Sequence, residues 1–127
     1  MAPSSTPRFA FLFLLASLAA QLVSAQVFTC SGGSVYVVAH PDDDLLFQSP
    51  DILTDVQSNL CVTTVFLTSG DSGVGAGYAR SREAGNEAAT AQMAGVADSW
   101  TEFNATFGGQ PVVVHTLIGA PHIQKVW

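Results

Sequence analysis

Residues 40 to 44 read His-Pro-Asp-Asp-Asp, one imidazole and a proline followed by three adjacent carboxylates. Neighbouring carboxylates repel one another and are costly to desolvate unless a cation stands among them. An imidazole and a carboxylate three positions apart across a tight turn can both reach one metal ion, and zinc accepts mixed nitrogen and oxygen donors. An adjacent carboxylate left unligated can take a proton from an activated water. The plainer alternative is that Asp42 and Asp43 cap a helix and favour its positive end. That alternative leaves His40 without a role.

The elements around this cluster follow from its flanks. Val35-Tyr36-Val37-Val38-Ala39, bounded by Gly32-Gly33 and Pro41, reads as a short buried strand. His40 precedes a proline and is biased towards extended geometry, so a helix starts only after it. The carboxylates then lie at the carboxyl end of the strand, the edge at which open α/β sheets bind ligands. From Asp43 to Gln57 the pattern is helical, with Leu45, Leu46, Ile52, Leu53 and Val56 facing the core. The helix is interrupted at Ser49-Pro50-Asp51, where Ser49 reads as a cap and Pro50 as the first residue of a new start. Cys61 to Leu67 is a second β-branched run that ends in Thr68, Ser69, Gly70 and Asp71. Strand, helix and strand make a parallel right-handed crossover, which brings Thr68 to Asp71 to the edge that holds His40.

The glycine-dense stretch from Gly70 to Gly77 reads as a mobile loop bordering that edge; Gly73-x-Gly75 is too incomplete for a dinucleotide motif. Tyr78 to Val96 is an alanine-rich helix with Ala84, Ala88, Ala91 and Met93 as packing positions. Arg80, Glu83 and Glu87 fall on successive turns, as on a salt-bridged surface. Pro111 to Ile118 reads as a third strand, and Ile123 to Trp127 opens another. His115 and His122 read as bonded or exposed side chains rather than metal ligands.

The segment Ala39-His40-Pro41-Asp42-Asp43-Asp44 resembles the zinc signature of the PIG-L/LmbE-like N-deacetylases, a family that includes N-acetylglucosaminylphosphatidylinositol de-N-acetylase. The resemblance runs from Val35 to Val96, through Thr68-Ser69-Gly70-Asp71 and Arg80-Ser81-Arg82-Glu83-Ala84. It implies zinc held by His40 and Asp43, with Asp42 as general base, and substrate contacts from Arg80 or Arg82 and from Asp71. Asp44 stands where many members carry glutamate. The family also draws a third zinc-binding histidine, and an acid or oxyanion-stabilising histidine, from a later histidine-rich loop with no counterpart here. The sequence is therefore expected to be an amino-terminal fragment. Its expected fold is α/β, a Rossmann-like parallel sheet represented by its first β-α-β-α-β portion.

Composition sets the surroundings. Arg8 precedes an uncharged run from Phe9 to Ala20, and Val23-Ser24-Ala25 supplies small residues before Gln26. Residues 1–25 read as a secretory signal peptide, with an uncleaved membrane anchor as the alternative. Residues 26–127 form the deacetylase-like part, enough for one small core. The full chain has formal charge −6, and with the leader and its Arg8 set aside the cations are Arg80, Arg82 and Lys125. No basic run is present to neutralise phosphates, which excludes nucleic acid as a partner. Cys30 and Cys61 fall near one edge of the sheet, and an oxidising compartment favours a disulfide between them over two buried thiols. Asn104-Ala105-Thr106 is a glycosylation sequon that acquires meaning in the secretory pathway, in the endoplasmic reticulum or outside the cell.

The sequence thus predicts a zinc-dependent hydrolase that removes the acetyl group from an N-acetylated amino sugar, on a glycolipid or a glycan. Membrane contact would come through the substrate or an uncleaved leader. Two readings of other classes stand beside it: a catalytically silent secreted domain that retains the motif, and an acidic pocket for magnesium. His40 and the leader weigh against the second.

Overall fold

A computed structural model describes residues 32–127; the expected signal segment and Cys30 lie outside the described residues. The elements in order are β1 (Gly33–Val38), α1 (Asp43–Phe47), α2 (Asp51–Gln57), β2 (Cys61–Phe66), α3 (Ala76–Ala94), β3 (Trp100–Phe107), β4 (Gln110–Leu117) and β5 (Ile123–Val126). They form one five-stranded sheet in the order β1-β2-β5-β4-β3. β1, β2 and β5 are parallel, whereas β4 pairs antiparallel with both β5 and β3. The α/β, Rossmann-like start of the expected fold is present, extended by an antiparallel edge.

β3 has no counterpart among the strands expected from the sequence. Its residues alternate weakly because the strand lies at the sheet edge, with Thr101, Glu102, Asn104 and Thr106 exposed. The overlooked signal was Gly108-Gly109, which follows Phe107 and precedes its partner Gln110. Both glycines take positive φ, 56° and 82°, as a two-residue hairpin turn demands. The strand expected at Pro111–Ile118 is β4, returned antiparallel by that turn. Asn104 of the sequon is exposed on β3. Cys61 opens β2 and is disulfide-bonded rather than a free thiol.

All three helices cover one face of the sheet. Ile52, Val56, Val62, Ala91, Leu117, Ala120 and Ile123 form the core there, with Tyr36, Met93, Val96 and Trp100 packed against it. Burying each of the larger aliphatic side chains contributes about 1.5–3 kcal/mol. On the other face, Val35 is 67% and Val37 54% exposed, so β1 alternates and is not buried on both sides as its composition suggested. Leu46 also faces solvent, because it lies two residues on from the buried Asp44, on the opposite side of α1. Pro50, not Ser49, is the N-cap of α2, and Asp51 is its first residue.

Within α3 the buried positions are Ala79, Asn86, Thr90 and Ala91, while Ala84 and Ala88 are exposed. Alanine recurs on every side of this helix, so apolar spacing gave no phase. The polar pair Asn86 and Thr90, one turn apart, marks the face that packs.

Candidate active site

The crossover brings two strand ends together. Val38 and Phe66 are partners at the carboxyl ends of β1 and β2. Beyond them, the Thr68 amide and hydroxyl both donate to the Ala39 carbonyl, at 3.1 and 2.8 Å. The segment after β2 is thereby tied to the residue before His40.

The motif itself is a tight turn in which the His40 carbonyl accepts from the Asp42 and Asp43 amides at 2.9 and 3.2 Å. The Asp43 carboxylate folds back: its Oδ2 accepts from the His40 amide at 2.9 Å and stands 3.4 Å from His40 Nδ1. Asp42 is the N-cap residue of α1, yet its side chain makes no capping bond. Its Oδ1 instead accepts from Arg82 Nη2 at 2.5 Å. The capping alternative therefore fails for Asp42, whose carboxylate is turned towards α3.

Arg82 is a clamp. Besides Asp42 it donates through Nη1 to the Gly70 carbonyl at 2.5 Å, so one guanidinium joins the β1 turn, the post-β2 loop and α3. Gly70 makes room for it. A Cβ at this residue (φ +60°) would lie 2.1 Å from Arg82 Nη1 and 2.9 Å from Pro41 Cδ. Asp71 clasps its own loop, accepting from the Gly75 amide at 3.0 Å and the Gly73 amide at 3.3 Å. Arg80 pairs instead with Glu83 Oε2 at 3.0 Å. The two arginines, interchangeable by sequence, thus occupy different places.

Donor chemistry and spacing at His40 and Asp43 suit zinc. Two ligands on one tetrahedral zinc, each at about 2.0–2.1 Å, stand about 3.3 Å apart. His40 Nδ1 and Asp43 Oδ2 are separated by 3.4 Å, and the His40 side chain is 49% exposed at the sheet edge. Among the described residues, no group of three His, Cys, Asp or Glu side chains stands close enough to hold a metal. His115 and His122 do not join the pair. The carbonyl of His122 accepts from the amide of Val62, near the opposite end of β2, and His115 lies mid-strand opposite Lys125.

Behind the turn lies a polar layer that the sequence did not disclose. Tyr36, Thr64, Lys125, His115 and Glu102 are successive cross-strand partners, one from each strand. Asp44 and Lys125 are fully buried, with Lys125 Nζ 3.6 Å from Asp44 Oδ2 and 5.4 Å from the centre of the Phe66 ring. Asn86 donates to Asp44 Oδ1 at 2.7 Å. Desolvation pulls the Lys125 ammonium down to about 8, against the opposing pull of Asp44. His115 Nδ1 meets Glu87 Oε1, and its Nε2 is 3.3 Å from Glu102 Oε2. The hydrogen bond to Glu87 holds the imidazole above its ordinary range, outweighing the effect of burial. Asn86 was the available signal for this layer, a polar residue at a core-facing helix position.

A cavity of about 200 Å³ opens beside the motif, lined by Phe66, Leu67, Thr68, Ser69, Glu83 and Trp127. Phe66 and Trp127 are stacked, with centroids 4.1 Å apart and planes 10° apart.

A Rossmann-like sheet with an imidazole–carboxylate turn at its carboxyl edge, braced by an arginine from the next helix, is an α/β protein of the LmbE type. The family model for GlcNAc-PI de-N-acetylase, PIG-L, matches residues 35–109, more than half of the chain, and the protein belongs to that family. No curated protein and no solved structure matched it. Membership gives the chain the general character of a deacetylase, in a family that acts on N-acetylated sugars.

Proposed function

We propose that this protein is a zinc-dependent amidohydrolase that removes the acetyl group from an N-acetylglucosaminyl substrate. N-acetylglucosaminylphosphatidylinositol is the substrate we assign, with the secretory pathway as the setting. The observation that carries the proposal is the arrangement of the turn: His40 and Asp43 hold donor atoms 3.4 Å apart, while the next carboxylate in the turn, Asp42, is bound by Arg82. His40 and Asp43 would hold zinc, which supplies polarisation of the acetyl carbonyl and activation of water when bound. Asp42 takes the proton of the attacking water, and the Arg82 bond to Oδ1 fixes the carboxylate for that transfer. The proton then passes to the departing amine as acetate leaves.

Acetate release from an N-acetylglucosaminyl substrate, measured with zinc content, tests the proposal. Asp42→Asn is expected to keep zinc and lose turnover by about 10²- to 10⁴-fold, the usual contribution of a general base. Alanine at His40 or Asp43 is expected to release the metal. Unchanged turnover in Asp42→Asn, or zinc retained after both alanine substitutions, would overturn the assignments. Among the described residues no group of three His, Cys, Asp or Glu side chains could hold a metal ion, which favours a second reading, a silent binding domain. Zinc uptake without acetate release by the unsubstituted chain would select it.

A further inference from the structure

β3 is the outer strand of the sheet and, among the described residues, pairs only with β4. The ladder fixes which of its backbone groups are already bonded. Antiparallel bonds join alternate opposite pairs, and the Ile118 amide donates to the Ser99 carbonyl at 2.9 Å, one step before the Trp100–Leu117 pair. The bonded positions of β3 are therefore 101, 103, 105 and 107, which agrees with the two-residue turn after Phe107. Trp100, Glu102, Asn104 and Thr106 turn their amides and carbonyls to the free edge.

Such an edge is a template for a second copy of the chain, and proteins guard it with short length, lysine, proline or a bulge. β3 has none of these. It runs for 8 residues, its register with β4 is unbroken from Trp100 to Phe107, and its sequence WTEFNATF holds neither lysine nor proline. Its one charged residue, Glu102, lies 3.3 Å from His115 Nε2 and is partly neutralised there. What the edge does hold is a sequon. Asn104 and Thr106, two positions apart, lie on one face of the strand, and both are exposed. A glycan attached at Asn104 would stand in the middle of the outward-facing groups. Cys61 is disulfide-bonded, as in a chain that meets an oxidising compartment, and such glycans are a feature of secreted chains.

We propose that Asn104 carries an N-linked glycan, and that this glycan keeps the β3 edge from pairing with a second copy of the chain. The donor is a lipid-diphosphate oligosaccharide of the secretory pathway. The Asn104 amide nitrogen forms a bond to the anomeric carbon and loses one proton. The bond from that carbon to the diphosphate oxygen breaks, and the lipid diphosphate leaves with the electron pair. Antiparallel pairing of two β3 edges about a two-fold axis near mid-strand brings both copies of residue 104 close together, so either glycan blocks the approach. The inference is independent of the deacetylase reading.

The test expresses the full chain, leader included, in a eukaryotic secretory host. Mass spectrometry is expected to find the glycan on the peptide that contains Asn104, and glycosidase release in heavy-oxygen water to leave a labelled aspartate there. Thr106→Ala, which keeps Asn104 in place, should abolish the modification. In analytical ultracentrifugation the glycosylated protein is expected to sediment as a monomer. Thr106→Ala and the enzymatically deglycosylated protein should shift to dimers or larger species. Asn104→Lys, which lacks the glycan but sets a cation on the edge, should return the monomer. Circular dichroism identifies a variant that has not folded; the deglycosylated protein, which folded with its glycan in place, then decides alone. An unmodified Asn104 would overturn the site. A deglycosylated protein that stays monomeric, or a glycosylated one that already associates, would overturn the guarding role.

Discussion

Arg82 decides how the carboxylates at residues 42 and 43 divide their work. By donating to Asp42 Oδ1 and to the Gly70 carbonyl, it ties one carboxylate to α3 and the loop after β2 while Asp43 stays 3.4 Å from His40 Nδ1. Lysine cannot reproduce a two-armed contact of this kind. Arg82→Lys is expected to retain zinc and lower kcat by about 10- to 100-fold, because the base is misplaced rather than removed. Metal content measured beside steady-state kinetics checks it, and loss of zinc in that variant would show that Arg82 supports the ligands instead. Gly70→Ala should act through the same contact, since its Cβ would occupy the space of the guanidinium.

At the scale of elements, the site turn is anchored from below. α1 has only five residues and cannot hold its own position. Asp44 pins it, fully buried between Lys125 of β5 and Asn86 of α3. Removing one member of a buried ion pair strands the other in a low-dielectric interior, at a cost of about 3–5 kcal/mol. Lys125→Met is expected to destabilise the fold by that amount, read from denaturant midpoints. The double variant Lys125→Met with Asp44→Leu should recover most of the loss, because no uncompensated charge remains. Failure to recover would mean that the layer stabilises through packing of the lysine stem and not through charge.

At the scale of the molecule, the polar layer gives stability a pH dependence. His115 is buried against Glu87 and faces Glu102 on β3 and the more distant Glu83 on α3, with Lys125 as its cross-strand neighbour. Its affinity for a proton is higher folded than unfolded. That stabilisation is fully present below the ordinary histidine range near pH 6.5, and it is lost as pH rises through the higher folded value. Urea midpoints are therefore expected to fall as pH rises from about 6.5, short of the region near 8 where the buried Lys125 ammonium, held low by desolvation, begins to lose its proton and contributes the opposite slope. His115→Gln should flatten that slope, and an unchanged slope would remove His115 as its source. The same face carries every described helix, while Val35 and Val37 remain exposed on the other.

Local chemistry was enough to read much of this from the sequence. Residues 35–39 and 61–67 declared themselves as strands by β-branching, Pro41 fixed where the first helix could begin, and the crossover rule put Thr68 beside Ala39. The His40–Asp43 pair follows from a spacing of three across a turn. What sequence could not supply depends on partners brought from far along the chain. Arg82 and Asp42 are 40 residues apart, Asn86 and Asp44 are 42 apart, and the meeting of Lys125 with Asp44 needs β5 inserted between β2 and β4. Arg80 and Arg82 look alike as residues. Only the angular position of each on α3, relative to a sheet assembled by non-local pairing, sends one to the carboxylate at the motif and the other to Glu83.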